Sequence, residues 1–397
     1  MTNLCLKMNQ AAIIPVLMVI VFVQGQVPPF KETCVTNAYP PSEKSHLVPT
    51  YVLNLDLPPT QRWQNLAKDK GSQIKTLLKK FIEFAEDFGN GTVNTIINYL
   101  NKQGDSMDTT LPQPYADEMR GIATASGLGL GEVIIYNLFY EVFTVCTSIV
   151  AEDNAGKLFH ARNLDFGLFL GWDIKNHTWE ITEALRPMIL NVDYQKGGKT
   201  VFKAVHYAGY IGILTAIKPG VFTLSMNERF DLNGGFIGII EWILGLRSGQ
   251  WMGFLTRDTL LYSNSYEEAK KNLTMTQMLA PAYFIVGGNS TGQGCVITRD
   301  RNKAVDVWNM ADAGKWYILE TNYDHWKSPL FIDDRRTPAN RCMQNMTQNN
   351  VGWPGIFNVL SSKPVLNKLT TYTALMQVDA GTLETWLQYC PDPCWPF

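Results

Sequence analysis

Tyr136-Asn137-Leu138-Phe139-Tyr140-Glu141-Val142-Phe143-Thr144-Val145-Cys146-Thr147-Ser148-Ile149-Val150-Ala151 is the stretch at which this chain changes character. Its first ten residues are aromatic and apolar, and the six from Cys146 read as a strand. Sixteen residues beyond Cys146 comes Arg162-Asn163-Leu164-Asp165, a charged cluster between apolar residues. A cysteine is a good nucleophile only as thiolate, and a nearby guanidinium favours that form. Cleavage of the Val145–Cys146 peptide would give Cys146 a free α-amine as a built-in base. The stretch therefore reads as the junction of a precursor that cuts itself.

Two regimes lie on either side. From Pro58 to Glu141 the signals are helical. Thr60 is placed to cap a helix with apolar positions at Trp63, Leu66, Ala67, Ile74, Leu77, Leu78, Phe81, Ile82 and Ala85, closed by Gly89-Asn90-Gly91. Lys68, Lys70, Lys75, Lys79 and Lys80 along it read as a solvated face. From Cys146 onward short strands dominate. Cys146–Ala151 and Lys157–Arg162 flank the turn Asp153-Asn154-Ala155-Gly156, and Ile189–Tyr194 and Thr200–Val205 flank Gly197-Gly198. Strands are expected at Phe222–Asn227, Tyr283–Val286, Cys295–Arg299, Ala304–Trp308 and Trp316–Asn322. Helices interrupt them near Gly235–Leu246, Ser265–Leu273 (Ser265 and Glu268 forming a capping box) and Pro338–Met346. Hairpin-joined strands with covering helices imply an α+β fold, a layered αββα sandwich preceded by a mainly helical segment.

With 397 residues, 46% hydrophobic, the chain can bury a large core. The net charge is −2 with no dense basic tract, which argues against nucleic acid as a partner. Below its isoelectric point, near 6.2, the protein becomes cationic and is drawn toward anionic membrane surfaces.

Residues 1–26 read as a secretory signal: Lys7, then an apolar run Ala11–Val23, then Gln24-Gly25-Gln26. Five Asn-x-Ser/Thr sequons follow, at Asn90, Asn176, Asn272, Asn289 and Asn345, and point to a lumenal glycoprotein. Of seven cysteines, removing the signal removes Cys5 and leaves Cys34, Cys146, Cys295, Cys342, Cys390 and Cys394. Three disulfides among six cysteines allow 15 connectivities. Cys390-Pro-Asp-Pro-Cys394 invites a local bridge, and counting leaves open a structural Cys146–Cys295 bond.

Other motifs fail on context. Gly288-Asn289-Ser290-Thr291-Gly292 matches the Gly-x-Ser-x-Gly elbow, but a strand follows where the elbow needs a helix, so it reads as a glycosylated hairpin turn. Five histidines show no zinc spacing, and no metal or organic cofactor is implied. His160 is expected to be an exposed strand histidine. Gly234 to Phe254 is apolar, but Glu241 and Arg247 break it, which favours a buried helix or channel wall over a membrane span.

Several segments occur in an order that carries a specific resemblance. They are Asn54-Leu55-Asp56-Leu57-Pro58-Pro59, Cys146-Thr147-Ser148-Ile149-Val150, Ala161-Arg162-Asn163-Leu164-Asp165-Phe166, Met226-Asn227-Glu228-Arg229-Phe230, Thr321-Asn322-Tyr323-Asp324, Asp333-Asp334-Arg335-Arg336-Thr337-Pro338 and the terminal Cys390–Cys394 motif. From about Cys34 to Cys394 the chain resembles the N-terminal-nucleophile cysteine amidases, the family that takes in ceramidases, N-acylethanolamine acid amidases and bile-salt hydrolases. The resemblance implies an αββα fold and self-cleavage into an alpha subunit, 27–145, and a beta subunit, 146–397. It also implies lysosomal hydrolysis of an N-acyl lipid amide: ceramide, with N-acylethanolamines as the alternative. Cys146 would be the nucleophile for both cleavage and hydrolysis, Arg162 would stabilise its thiolate, and Asp165 would hold the new α-amine. Glu228, Asn322 and Arg335 would complete the site, with Asn322 as the oxyanion donor and Asn227 a second candidate. Disulfides Cys34–Cys342 and Cys390–Cys394 are implied, which frees Cys146 and leaves Cys295 a buried thiol. An anionic lysosomal membrane surface and a lipid-presenting activator protein are the further partners expected.

Overall fold

The computed structural model describes residues 33–43, 46–89, 97–98, 101, 111–141, 144–166, 171–229, 241–242 and 249–394. The expected signal segment, the Asn90 sequon and most of the apolar stretch from Gly234 lie outside them. Among the described residues the strands form two large sheets and a short hairpin. The first sheet has the order β1 (Thr50–Asn54), β6 (Ile189–Lys196), β7 (Lys199–Tyr207), β8 (Thr215–Lys218), β9 (Phe222–Glu228), β10 (Ala282–Gly287), β11 (Gly294–Arg299), β12 (Ala304–Asn309). The second runs β13 (Tyr317–Glu320), β2 (Thr144–Glu152), β3 (Leu158–Phe166), β14 (Thr370–Gln377), β15 (Thr382–Leu387). The short hairpin joins β4 (Trp172–Asp173) to β5 (Thr178–Trp179).

Both sheets are antiparallel throughout except for the β1–β6 pair, which is parallel. The two expected hairpins form. Asp153 caps the β2–β3 turn by accepting from the Ala155 and Lys157 amides, each at 2.9 Å. Gly197 and Gly198 turn β6 into β7 at φ of 57° and 70°, where a Cβ would be strained. Gly288–Gly292 lies in the turn between β10 and β11, as the hairpin reading requires.

Helices cover the outer faces. The helical segment begins with α1 (Gln64–Gly89), α2 (Tyr115–Ser126) and α3 (Leu130–Tyr140); the later helices are α4 (Glu180–Leu185), α5 (Met252–Tyr262), α6 (Tyr266–Met275), α7 (Arg336–Met346) and α8 (Trp353–Leu360). Helix α1 starts later than expected, because Pro59–Gln61, Thr60 among them, form a 3-10 turn ahead of it. Its buried stripe is Leu66, Ala67, Ile74, Leu77, Leu78 and Phe81, at helical spacing, while Lys68, Lys75 and Lys79 are exposed. Each large member buried is worth roughly 1.5–3 kcal/mol over leaving it in water, so Leu77→Ala would open a costly cavity. Ser265 caps α6 by accepting from the Glu268 amide at 3.1 Å, but the Glu268 carboxylate reaches back to Asn264 rather than to Ser265.

The helical segment is no separate module. Its strand β1, absent from the sequence expectation, supplies the edge of the large sheet, and its helices share one continuous core with residues of both sheets. Trp63, fully buried, packs edge-on against Tyr194 and His206 of β6 and β7. Among the described residues two disulfides are present, Cys34–Cys342 and Cys390–Cys394; Cys146 and Cys295 are free and buried. No single helix among the described residues is long and apolar enough to cross a membrane.

Candidate active site

The two sheets face each other, and polar side chains from β2, β3 and β9 meet between them. Side chains two apart on a strand share a face. Cys146 and Ser148 of β2, His160 and Arg162 of β3, and Thr223, Ser225 and Asn227 of β9 thus form one polar patch in an otherwise apolar interlayer. The Val145–Cys146 peptide lies within the unbroken strand β2, and Cys146 has no solvent-exposed surface.

Each polar atom of Cys146 has a side-chain partner. The Arg162 Nη2 donates to its sulfur. The Cys146 amide donates to Asn322 Oδ1 at 2.8 Å, and Arg335 Nη1 donates to the Cys146 carbonyl. Arg162, itself fully buried, is fixed by donating from Nη1 to the Leu214 carbonyl and Thr215 Oγ1, both at 2.9 Å. Arg335 is forked onto Asp333 at 2.9 and 3.1 Å, reaches Asn322 Oδ1 at 2.9 Å and lies 3.5 Å from Asp165. Asp165 accepts from Thr370 Oγ1 at 2.6 Å and Asn367 Nδ2 at 3.2 Å. Glu228 accepts from the Thr144 amide at 3.3 Å, on the other side of the Val145–Cys146 bond.

The structure thus brings together all six residues singled out for catalysis: Cys146, Arg162, Asp165, Glu228, Asn322 and Arg335. It changes the geometry expected of two of them. Asn322 holds the Cys146 nitrogen, not an oxyanion, and its Nδ2 donates to the carbonyls of Glu228 at 2.7 Å and Thr144 at 3.4 Å. In the unbroken chain Asp165 is engaged by Arg335, Thr370 and Asn367, while the Cys146 nitrogen faces Asn322. The His160 expectation was wrong. This side chain is buried, because the strand that carries it is sandwiched between layers instead of facing solvent.

Burial dominates the electrostatics. It pushes the Cys146 thiol up to about 11, against the pull of Arg162 and Arg335, so in the unbroken chain the sulfur keeps its proton. Burial likewise raises Asp165 to about 6, in spite of Arg335, Thr370 and Asn367, and raises Glu228 well above the usual carboxylate range. Asp165, Asn367 and Thr370 form a set of which only Asp165 was legible beforehand. The alternating Thr371 and Thr373, which donate to Leu164 and Asn163 of β3, were the available sign that a polar strand adjoins the site. No cluster of three or more His, Cys, Asp or Glu able to hold a metal occurs among the described residues.

Immediately upstream, Tyr140 closes the end of α3 against Tyr210, Tyr207 and Phe166, at centroid distances of 4.7, 5.0 and 5.2 Å. Glu141, next to it, accepts from the Met252 and Gly253 amides at the start of α5, at 2.6 and 2.9 Å, and from Tyr210. Of the four sequons within the described residues, Asn176, Asn272, Asn289 and Asn345 are all exposed.

A layered α+β sandwich with a guanidinium-held cysteine at the head of a central strand defines an N-terminal-nucleophile amidohydrolase. Comparison with known proteins agrees. Linear amide C–N hydrolases of the choloylglycine hydrolase family match residues 146–386, and the beta subunit of N-acylethanolamine-hydrolyzing acid amidase matches residues 47–103. The chain belongs to the choloylglycine hydrolase family of linear amide C–N hydrolases. Within it, the chain is 51% identical over 375 residues to the acid ceramidases of Homo sapiens and Pan troglodytes, covering 94% of either chain. The acid ceramidase of Mus musculus is 49% identical over 371 residues. A solved structure of the Caenorhabditis elegans N-acylethanolamine-hydrolyzing acid amidase ortholog superposes with a TM-score of 0.52 at 32% identity, covering 62% of this chain and all of that one.

Proposed function

We propose that this amidohydrolase is a lysosomal ceramidase, hydrolysing N-acylsphingosine to sphingosine and a fatty acid after cutting its own chain before Cys146. The observation that carries the reading is Cys146 itself, with its sulfur, amide and carbonyl each held by a different buried side chain, in a chain about half identical to acid ceramidases.

In the first reaction the Cys146 sulfur attacks the Val145 carbonyl carbon, the thiol proton passes to the Cys146 nitrogen, and the C–N bond between Val145 and Cys146 breaks to leave Val145 on sulfur as a thioester. Water then releases Val145 from the thioester. Asn322 and Arg335 hold the groups on either side of the sulfur. In the second reaction the freed α-amine takes the thiol proton, the thiolate attacks the lipid amide, the sphingosine nitrogen leaves protonated, and water cleaves the acyl-enzyme. The Asn322 group able to meet an oxyanion is Nδ2, which in the unbroken chain donates to the Glu228 and Thr144 carbonyls, and departure of Thr144 with the upstream piece would free one of its protons. Asp165, 3.5 Å from Arg335 and raised to about 6 in the unbroken chain, would be drawn into its charged form by a new ammonium at Cys146 and so hold it. An ordinary α-amine titrates at about 7.7–8.0, so keeping it neutral at a pH of roughly 5 costs on the order of 4 kcal/mol. A thiolate–ammonium pair is the alternative resting form.

The same reading makes Tyr136–Val145 a plug. A lipid acyl chain gains about 0.8 kcal/mol per buried methylene, and the aromatic walls around Tyr140 are apolar enough to receive one once Tyr140 withdraws. The anionic lysosomal membrane and a lipid-presenting activator are the partners proposed, and the exposed sequons are proposed to carry glycan. Turnover of N-acylsphingosine against N-acylethanolamines by the cleaved enzyme tests the substrate assignment; faster hydrolysis of N-acylethanolamines would overturn it.

A further inference from the structure

His160 is a buried histidine that the chemistry above leaves without a role. It is two residues before Arg162 on β3 and points to the same face. From it a chain of side-chain hydrogen bonds runs to the site. His160 Nε2 meets Ser225 Oγ at 2.9 Å, Ser225 Oγ donates to Ser148 Oγ at 2.9 Å, and Ser148 Oγ donates to Asn227 Oδ1 at 2.9 Å. Asn227 Oδ1 in turn faces Arg162 Nη2, the nitrogen on the Cys146 sulfur, at 3.5 Å.

The protons in this chain have one consistent order. Asn227 Nδ2 donates to the carbonyls of Glu320 at 3.2 Å and Thr321 at 2.8 Å, which fixes the amide with Oδ1 toward Ser148. Ser148 must then give its single proton to Asn227, and Ser225 must give its own to Ser148. Ser225 can only accept from His160, so Nε2 carries the imidazole proton. Nδ1 is left to accept from Thr223 Oγ1 at 2.9 Å, the hydroxyl turning to it in place of its longer 3.2 Å contact with the Gly287 carbonyl.

We propose that His160 is a positioning residue for the Cys146 chemistry: its Nε2–H orders Ser225, Ser148 and Asn227, and Asn227 sets the Arg162 guanidinium against the nucleophilic sulfur. Burial, with Arg162 beside it, lowers the imidazole to about 3, so it stays neutral and the order holds at any pH the enzyme meets. The proposal rests on Cys146 being the nucleophile.

The test uses the full-length precursor carrying His160→Phe, His160→Gln, Ser225→Ala or the His160→Phe/Ser225→Ala pair, with Cys146→Ala alongside. Three quantities are measured: the rate of chain division at about pH 5, the pH profile of iodoacetamide alkylation of Cys146 after division, and the melting temperature. A misplaced group distant from the reacting atoms can cost on the order of 100-fold. His160→Phe and Ser225→Ala should each slow division by at least about 10-fold and shift the alkylation profile to higher pH. His160→Gln, whose amide N–H can replace Nε2–H, should recover most of the rate. The double variant should be no slower than the slower single one, since one chain is broken once. Additive losses, unchanged rates, or Gln failing as badly as Phe would overturn the proposal. If His160→Phe does not fold, Gln with Ser225→Ala decides it: a near-normal Gln beside a slow Ser225→Ala supports the chain, and equal rates refute it. Division of Cys146→Ala would instead sink the nucleophile assignment, whereas an inert Cys146→Ala beside normal His160 variants would refute only the positioning role.

Discussion

Glu118 and Arg257 meet in a bidentate ion pair, Oε2 to Nη1 at 2.6 Å and Oε1 to Nη2 at 2.7 Å, with neither side chain exposed. Trp63 Nε1 and Arg62 also donate to Glu118, at 2.6 and 2.9 Å, and the Arg257 guanidinium lies over Tyr115 and Tyr194 at 5.2 Å. Cleavage before Cys146 would put Glu118 and Arg257 on different polypeptides. After cleavage, and with Cys34–Cys342 reduced, the two pieces should therefore still co-elute in gel filtration under native conditions. Removing one partner of a buried pair costs about 3–5 kcal/mol, so Glu118→Ala should lower stability by that order. Separation of the reduced wild-type pieces at neutral pH would show that the disulfide alone joins them.

Cys146→Ala should remain a single chain through prolonged incubation at about pH 5, while the parent divides between Val145 and Cys146. N-terminal sequencing of the products reads the position, and division of the alanine variant at that bond would refute self-cleavage.

Before cleavage the sulfur has no accessible surface and keeps its proton, with burial the main cause of its raised value of about 11. The precursor should accordingly resist thiol-directed acyl probes that label the divided enzyme. Equal labelling of both, followed by mass spectrometry, would rule out the plug.

Asp165 is held at about 6 mainly by burial. At pH 7.5 its charge is thus a burden on the fold, and Asp165→Asn should melt at or above the parent temperature while processing slowly and hydrolysing poorly. Arg162→Lys should keep the fold but lose the fork onto Leu214, Thr215 and the sulfur, and with it most of the processing rate. A large fall in melting temperature with normal processing would mean that Arg162 and Asp165 serve only the fold.

Stability should rise as pH falls from 8 toward 5. Burial raises Glu320 to about 8, Glu141 to about 7 and Asp165 to about 6. The folded chain therefore binds protons in this window that the unfolded chain, with ordinary carboxylates, does not. His160 and His206 act in the opposite sense below their ordinary value of 6.5, because burial lowers both to about 3 and only the unfolded chain charges them. The gain should be steepest above about pH 6.5 and slacken below it. A melting temperature that falls steadily from pH 8 to 6.5 would contradict this balance.

Much of the sandwich was legible because its hairpins carry strong local turn chemistry and its strands alternate. What was missed depended on distant pairing. Strands β1, β4, β5, β8, β14 and β15 and helices α4, α5 and α8 were not foreseen; β14 gains its place only by lying between β3 and β15, far away in sequence. The charged members of the site were readable as motifs. The hydroxyls and imidazole around them were not, since nothing in Thr223-x-Ser225-x-Asn227 says which strand will face it. His160 was misjudged for the same reason: alternation reveals that a strand has two faces, but not that both will be covered.

The parallel pairing of β1 with β6 has a consequence for how such an enzyme can be made. The eight-residue strand β6 is the edge that Cys146–Phe397 alone would present, with its row of unpaired amides and carbonyls open to any other chain. A gene for residues 146–397 by themselves would thus yield a template for edge-to-edge aggregation. Translation as one polypeptide seals that edge with a neighbour at fixed, high local concentration, and the proposed cut before Cys146 would leave it sealed.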